Sequence, residues 1–152
     1  MLLIGYGNPG RGDDGLGPAF SERIAERSLQ GLEVDTDYQL VAEHALAISV
    51  HELVIFVDAE IEGEHAFSFK EVQPALPQTI GSHSFVPETV LSLCTTLFGV
   101  TPCAYVLGIS GLDFGEIKEG LSTQASENLV EAEAFFLNWL EHRALEKGAA
   151  HA

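Results

Sequence analysis

Cysteine is scarce in this chain. Cys94 and Cys103 are the only two, with no CxxC pair and no zinc-finger spacing of Cys and His beside them. That excludes a disulfide-stapled scaffold and reads as two reduced thiols of a cytosolic protein. Positive charge is scarce too: seven Lys and Arg stand against 23 Asp and Glu, for a net charge of −16. A field of that sign repels phosphate backbones and anionic bilayers, which argues against nucleic acid as a partner. It is compatible with a cationic peptide or a metal ion. Long apolar runs are missing. LVIFVDA at 53–59 is broken by charge well short of the roughly 20 residues of a membrane span, so no membrane segment is expected. The opening MLLIGYGNPG has no positive n-region and meets Gly and Pro almost at once, unlike a signal peptide. A cytoplasmic location follows as the expectation.

What is present suits one globular domain spanning residues 1–152, with 46% hydrophobic and 20% charged residues. MLLIG at the start reads as a buried strand, and GNPGRGDDG at 7–15 as a turn-rich loop. Pro18 suits a first helical position, Phe20, Ile24 and Leu29 follow at helical spacing, and Gly31 fits the end of that helix. A strand over 32–40 and a short helix over 42–50 come next. LVIFVDAE at 53–60 is an apolar run of the kind found in buried parallel strands. AFSFKEV at 66–72 alternates like a strand nearer an edge, and 74–84 reads as a loop. The spacing predicts a helix over 87–98, a strand over 104–110, a loop over 111–120, and a last helix capped by Ser122 with a frayed tail. Strands alternating with helices predict an α/β domain with helices on both faces of a mostly parallel sheet. Ligands of such sheets sit beyond the carboxyl ends of the strands. That rule selects the loop after the first strand, the end of the VIFVD strand and the loop around His83.

Gly5, Gly7 and Gly10 spell G-x-G-x-x-G, the dinucleotide fingerprint. That chemistry needs a helix starting inside the motif so that its amides face a pyrophosphate. Here Pro9 interrupts the motif, RGDDGLG delays the helix to about Pro18, and two aspartates would repel the phosphates. Asp13 and Asp14 sit in a glycine-flanked turn. Turn chemistry accounts for one of them; a pair suits the close approach of something cationic. Asp58 ends a buried strand, where a carboxylate must be solvated, paired or bound to a cation. His83 precedes a helix in a loop with Gly81 and Ser82, and gains weight only if the fold brings it to the edge shared by Asp14 and Asp58. Two carboxylates and an imidazole suit nickel, zinc or iron. His44 could approach the same edge, and His51, His65, His142 and His151 read as surface residues. No nucleophile elbow is present, because Gly108-Ile109-Ser110-Gly111 lacks the second spacer of G-x-S-x-G. Cys94 falls on an apolar helix face, as core packing does.

These motifs resemble those of the hydrogenase maturation proteases. GYGNPGRGDDGLGP at 5–18 looks like the family's N-terminal signature and QLVAEHA at 39–45 like its second short motif. ELVIFVDAE at 52–60 resembles its strand ending in aspartate, and GSHSFVPETVL at 81–91 its histidine segment. VLGISGLDFGEIKEGLS at 106–122 resembles its final strand, loop and helix start, so the matches run in order along nearly the whole chain. The resemblance implies a phosphorylase/hydrolase-like, three-layer α/β/α sandwich around a mostly parallel mixed sheet. It also implies Asp14, Asp58 and His83 as catalytic and metal-contacting residues, Asp14 standing where the family often has Glu. The implied activity is an endopeptidase that removes the C-terminal extension of a nickel–iron hydrogenase large-subunit precursor after nickel insertion. The nickel-loaded precursor is then the partner, and the nickel, or another divalent cation in its place, comes with the substrate. Either the metal or a carboxylate activates water in this scheme. Two alternatives stand beside it. GNPG after a first strand also resembles peptidyl-tRNA hydrolase, but the Thr-Arg-His-Asn segment of that family is replaced here by RGDDGLG, and the charge opposes tRNA. The other is a metal- or peptide-binding module without activity.

Overall fold

The structure is a computed structural model that describes residues 1–61, 63–76, 85–115 and 117–150. Five strands form one sheet: β1 (Leu2–Tyr6), β2 (Glu33–Asp37), β3 (Leu53–Ile61), β4 (Phe67–Val72) and β5 (Cys103–Gly111). Their order is β2-β1-β3-β5-β4, parallel throughout except for β4, which pairs antiparallel with β5 at the edge. Four helices cover it: α1 (Leu16–Glu26), α2 (His44–Ser49), α3 (Pro87–Phe98) and α4 (Thr123–Ala150).

The period of two along the strands divides the core. Leu3, Ile55, Val57, Leu107 and Ile109 face α1 and α4 and meet Phe20, Ile24, Leu129 and Phe136. Leu2, Ile4, Val54, Phe56 and Ala104 face α2 and α3 and meet Ile48, Val90, Leu91 and Cys94. This two-sided burial explains why β1 and β3 read as continuous apolar runs rather than alternating ones. The expected three-layer α/β/α arrangement around a mostly parallel mixed sheet is the one observed, and among the described residues no helix is long and apolar enough to cross a membrane.

Two of the expected helix boundaries are corrected. The first helix closes at Glu26, not at Gly31; Arg27 is its cap, Ser28 turns to φ 48°, and Gly31, with φ 78°, turns the chain into β2. Leu29 reaches the core from outside the helix, so its helical spacing was coincidental. The last helix also does not fray after Leu145: it continues through Ala150, with His151 and Ala152 outside the described residues. Ser122 does cap it, its Oγ accepting the Ala125 N–H at 3.2 Å. Cys94 is buried, as its helix face implied, and Cys103 is exposed; both are free.

Glu133 on α4 is buried and holds α1 against it, accepting hydrogen bonds from Arg23 Nε and, at 2.6 Å, from Arg27 Nη2. Burial pushes its carboxyl up, but the two guanidiniums outweigh that and hold it below the usual range. Both arginines remain nearly half exposed and can return to water. Glu133→Gln should therefore cost only about 1–2 kcal/mol. A urea titration of the purified chain measures it, and an unchanged midpoint would show that helix packing alone holds the two elements.

Candidate active site

The crossover that leaves β1 passes to β2 on one side, and the chain returns through α2 to β3 on the other. The strand order therefore reverses between β1 and β3, and the crevice of this fold opens at their carboxyl ends. Asp14 comes from the loop after β1, and Asp58 from the end of β3.

Close backbone approach sets the first loop. Gly7 has φ 143°, its N–H donates to Asp37 O at 3.1 Å, and a Cβ there would strike the Asp14 carbonyl. A Cβ on Gly17 would meet the carbonyls of Tyr6 and Val57, so α1 can lie this near the sheet only with glycine there. In the dinucleotide-like pattern, Gly5, where a Cβ would strike the Gly17 carbonyl, and Gly7 thus serve packing. A short 3-10 turn over Gly12–Gly15 precedes α1, so no helix start faces a phosphate position.

The adjacent acids separate completely. Asp13 is fully buried. Its Oδ2 accepts from Leu112 N, Asp113 N and Ser122 Oγ at 2.7–2.9 Å, and its Oδ1 accepts from Ser122 N at 2.7 Å. Burial works to raise its carboxyl, but these donors, Ser122 first, hold it below the usual carboxylate range. It ties the first loop to the loop after β5. Arg11 and Lys118 bridge the same two loops, with Gly12 N donating to Lys118 O at 2.7 Å and Lys118 N to Gly10 O at 2.9 Å. A cation is therefore not what Asp13 binds. Asp14 turns the other way, and its Oδ2 accepts the Asn8 N–H at 2.7 Å.

Asp58 continues the face of Val54 and Phe56, and its Oδ1 accepts the Ala59 N–H at 2.8 Å. Burial pushes its carboxyl up to about 6; the Ala59 N–H opposes this, the Asp14 charge adds to it, and the neighbouring Tyr6 phenol opposes it again. The Asp14 carboxylate is thus near enough to disfavour the charge of Asp58. Asp58 opens onto a cavity of about 330 Å³ floored by Val106 and Gly108 and bordered by Tyr6, Glu60, Lys70 and Glu88. Gly108 pairs with Asp58 across β3 and β5, and a Cβ there would lie 3.2 Å from Glu60 Oε2, so the glycine keeps the floor open.

Sequence reasoning missed Tyr6. Its one signal was phase: it follows Leu2 and Ile4 on the face that carries Asp58. His83 lies outside the described residues. Among the described residues, no three His, Cys, Asp or Glu side chains converge as a metal-holding group. His44 is buried at the end of β2, its Nδ1 accepting the Val41 N–H at 2.9 Å and its Nε2 lying 3.5 Å from Asp37 Oδ2. A neutral ring so placed carries its hydrogen on Nε2 and has no lone pair free for a cation. It anchors α2 to β2. His51 is only partly exposed and meets Glu33 at 3.2 Å, whereas His65 and His142 are surface residues as expected.

No protein-family model and no curated protein sequence matches the chain. Solved structures do. The [NiFe] hydrogenase maturation protease HycI of Thermococcus kodakarensis KOD1 superposes with a TM-score of 0.70 at 23% identity, over 92% of this chain and 91% of that one. The hydrogenase maturating endopeptidase HybD of E. coli gives 0.71 at 17% identity, over 93% and 92%. A hydrogenase 2 maturation peptidase from a Thaumarchaeota archaeon gives 0.67 at 20% identity, over 91% and 96%. The chain has the fold of the hydrogenase maturation proteases. The likeness covers nearly the full length of each neighbour, with no large insertion or missing lobe on either side.

Proposed function

We propose that this chain is a hydrogenase maturation endopeptidase. It removes the C-terminal extension of a nickel–iron hydrogenase large-subunit precursor once nickel has been inserted. The reading rests on Asp58 at the carboxyl end of β3, its carboxyl pushed up to about 6, with the charge of Asp14 acting on it from the loop after β1. A partly buried carboxylate whose charge is disfavoured by burial and by a second carboxylate suits a cation. Their hard anionic oxygens suit a divalent ion, and nickel carried by the substrate fits that donor chemistry. Asp14, Asp58 and His83 are the residues that would hold it, as the family resemblance implies, leaving room for substrate or water.

When present, the cation supplies Lewis acidity at the scissile carbonyl. Asp58 takes the proton of the attacking water, and the same proton then goes to the leaving amine as the C–N bond breaks. Burial, which raises the Asp58 carboxyl, favours its acceptance of that proton. Asn8 and Ala59 keep the two carboxylates oriented through their N–H groups.

The test is incubation of the chain with nickel-loaded large-subunit precursor, followed by intact mass. Loss of one discrete C-terminal peptide, absent with nickel-free precursor and with unrelated peptides, is the expected result. Cleavage of generic peptides would make the chain an ordinary metallopeptidase, and cation binding without cleavage would make it a binding module.

A further inference from the structure

We propose that the outer edge of β4 is a docking strand for the substrate polypeptide, which pairs with it main chain to main chain while its scissile bond lies at Asp58; this rests on the endopeptidase reading given above. β4 is the last strand of the sheet and is paired on one side only, with β5. Just before β4 begins, Ser110 N donates to Ala66 O at 2.9 Å. From there the antiparallel register runs unbroken, from Phe67 opposite Ile109 to Val72 opposite Ala104. Alternation along such a ladder turns the N–H and C=O of Ser68, Lys70 and Val72 toward β5, and those of Phe67, Phe69 and Glu71 away from the sheet. None of the described residues hydrogen-bonds to those outward groups. An edge of this kind accepts one more strand.

The edge is continuous with the crevice. Phe67 and Phe69 pack against Phe135 and Trp139 of α4, whereas Ser68, Lys70 and Val72 border the Asp58 cavity from the other face. Register places Asp58, Gly108 and Ser68 in one row across β3, β5 and β4. An added strand lies three strand spacings from β3, roughly 14 Å. A chain leaving that strand needs about four residues to carry a peptide bond along the row to Asp58. The paired segment therefore stands about four residues from the bond that is cut. An endopeptidase must take its substrate extended to reach a bond inside a chain, and an extended chain is what a strand edge binds. A second copy of this chain fits the edge less well. Two copies each carrying a net charge of −16 repel, and a strand of six residues with Lys70 in its middle is a short, charged edge of the sort that keeps copies apart.

The experiment pairs kinetics with amide hydrogen exchange. Glu71→Pro removes one outward donor and no bond to β5, because the Glu71 N–H faces away from the sheet, and proline is tolerated at such edge positions. With nickel-loaded precursor as substrate, Glu71→Pro is expected to raise KM roughly 10-fold with kcat near wild type. Glu71→Ala keeps the donor and is expected to match wild type. Exchange is followed by NMR in the full-length Asp58→Asn chain, free and mixed with the same precursor. The amides of Phe67, Phe69 and Glu71 should slow on mixing, while those of Ser68, Lys70 and Val72 are slow from the start. This alternation decides the question alone if Glu71→Pro melts early. An unchanged KM in a folded Glu71→Pro chain, an equal rise in Glu71→Ala, or outward amides that exchange as fast in the mixture as in the free chain would overturn the proposal. So would outward amides that are slow in the free chain and quicken on dilution, which would make a second copy the occupant. A wild-type chain that leaves the precursor uncut while these amides are protected would remove the protease and keep the docking edge; uncut precursor with unprotected amides would remove both.

Discussion

Asp58→Asn is expected to abolish processing of the precursor while making the protein more stable at neutral pH. The loss of activity should be on the order of 10²–10⁴-fold, the contribution of a positioned proton-transfer group, and larger if the cation is lost as well. The gain in stability follows from the cost of the native charge. The Asp58 carboxyl titrates at 3.8 when unfolded and at about 6 when folded, chiefly because burial disfavours its charge. Between about pH 4 and pH 6 the folded chain holds a proton that the unfolded chain has already released. Stability therefore falls as pH rises through that window, and the full penalty, about 3 kcal/mol, applies above it. Asparagine carries no charge to bury beside Asp14, and its side-chain oxygen can still accept the Ala59 N–H. Urea titrations at pH 4 and pH 8 measure the effect. The variant should gain on wild type at pH 8 and lose that advantage at pH 4. Equal stability at both values would mean that the folded carboxyl is not raised and that the crevice is wetter than its burial indicates.

Asp13→Ala is expected to do the reverse of Asp14→Ala. Removing the Asp13 carboxylate leaves three backbone or side-chain donors without Oδ2 and the Ser122 N–H without Oδ1, all at a buried junction. The cost should be about 3–5 kcal/mol, a drop in melting temperature on the order of 10 °C for a chain of this size. The carboxyl of Asp13 is held low, so its stabilisation is present above the unfolded carboxylate value and lost as pH falls through the lower folded value. Among the described residues Asp14 has one donor, the Asn8 N–H, and Asp14→Ala should leave the melting temperature nearly unchanged while processing disappears. A calorimetric scan and the intact-mass assay on both variants separate the two residues. If Asp14→Ala melted early and still processed, while Asp13→Ala kept its melting temperature and lost processing, their assignments would have to be exchanged.

That contrast also marks how far the sequence could be read. Two identical side chains stand next to each other between glycines, and nothing in GRGDDGLG says which one turns inward. The partners that decide it, Leu112, Asp113 and Ser122, lie about 100 residues away along the chain. His44 follows the same logic. Its sequence neighbours allowed an approach to the site, and only the Val41 N–H shows that its Nδ1 is already occupied. Tyr6 was passed over because its importance depends on which strand lies beside β1; pairing with β3 rather than with β2 alone brings it to Asp58.

The order of strands and helices, the edge position of β4 and the placement of Asp14 and Asp58 at strand ends were all legible without coordinates. They depend on local patterns: apolar period, Gly and Pro punctuation, and the cost of ending a buried strand in an acid. What tertiary structure alone decided was the direction each acid faces, the elevation of the Asp58 carboxyl and its place beside Tyr6 on one cavity. Those properties come from burial and from donors supplied by segments remote in the chain, and both exist only once the sheet has assembled.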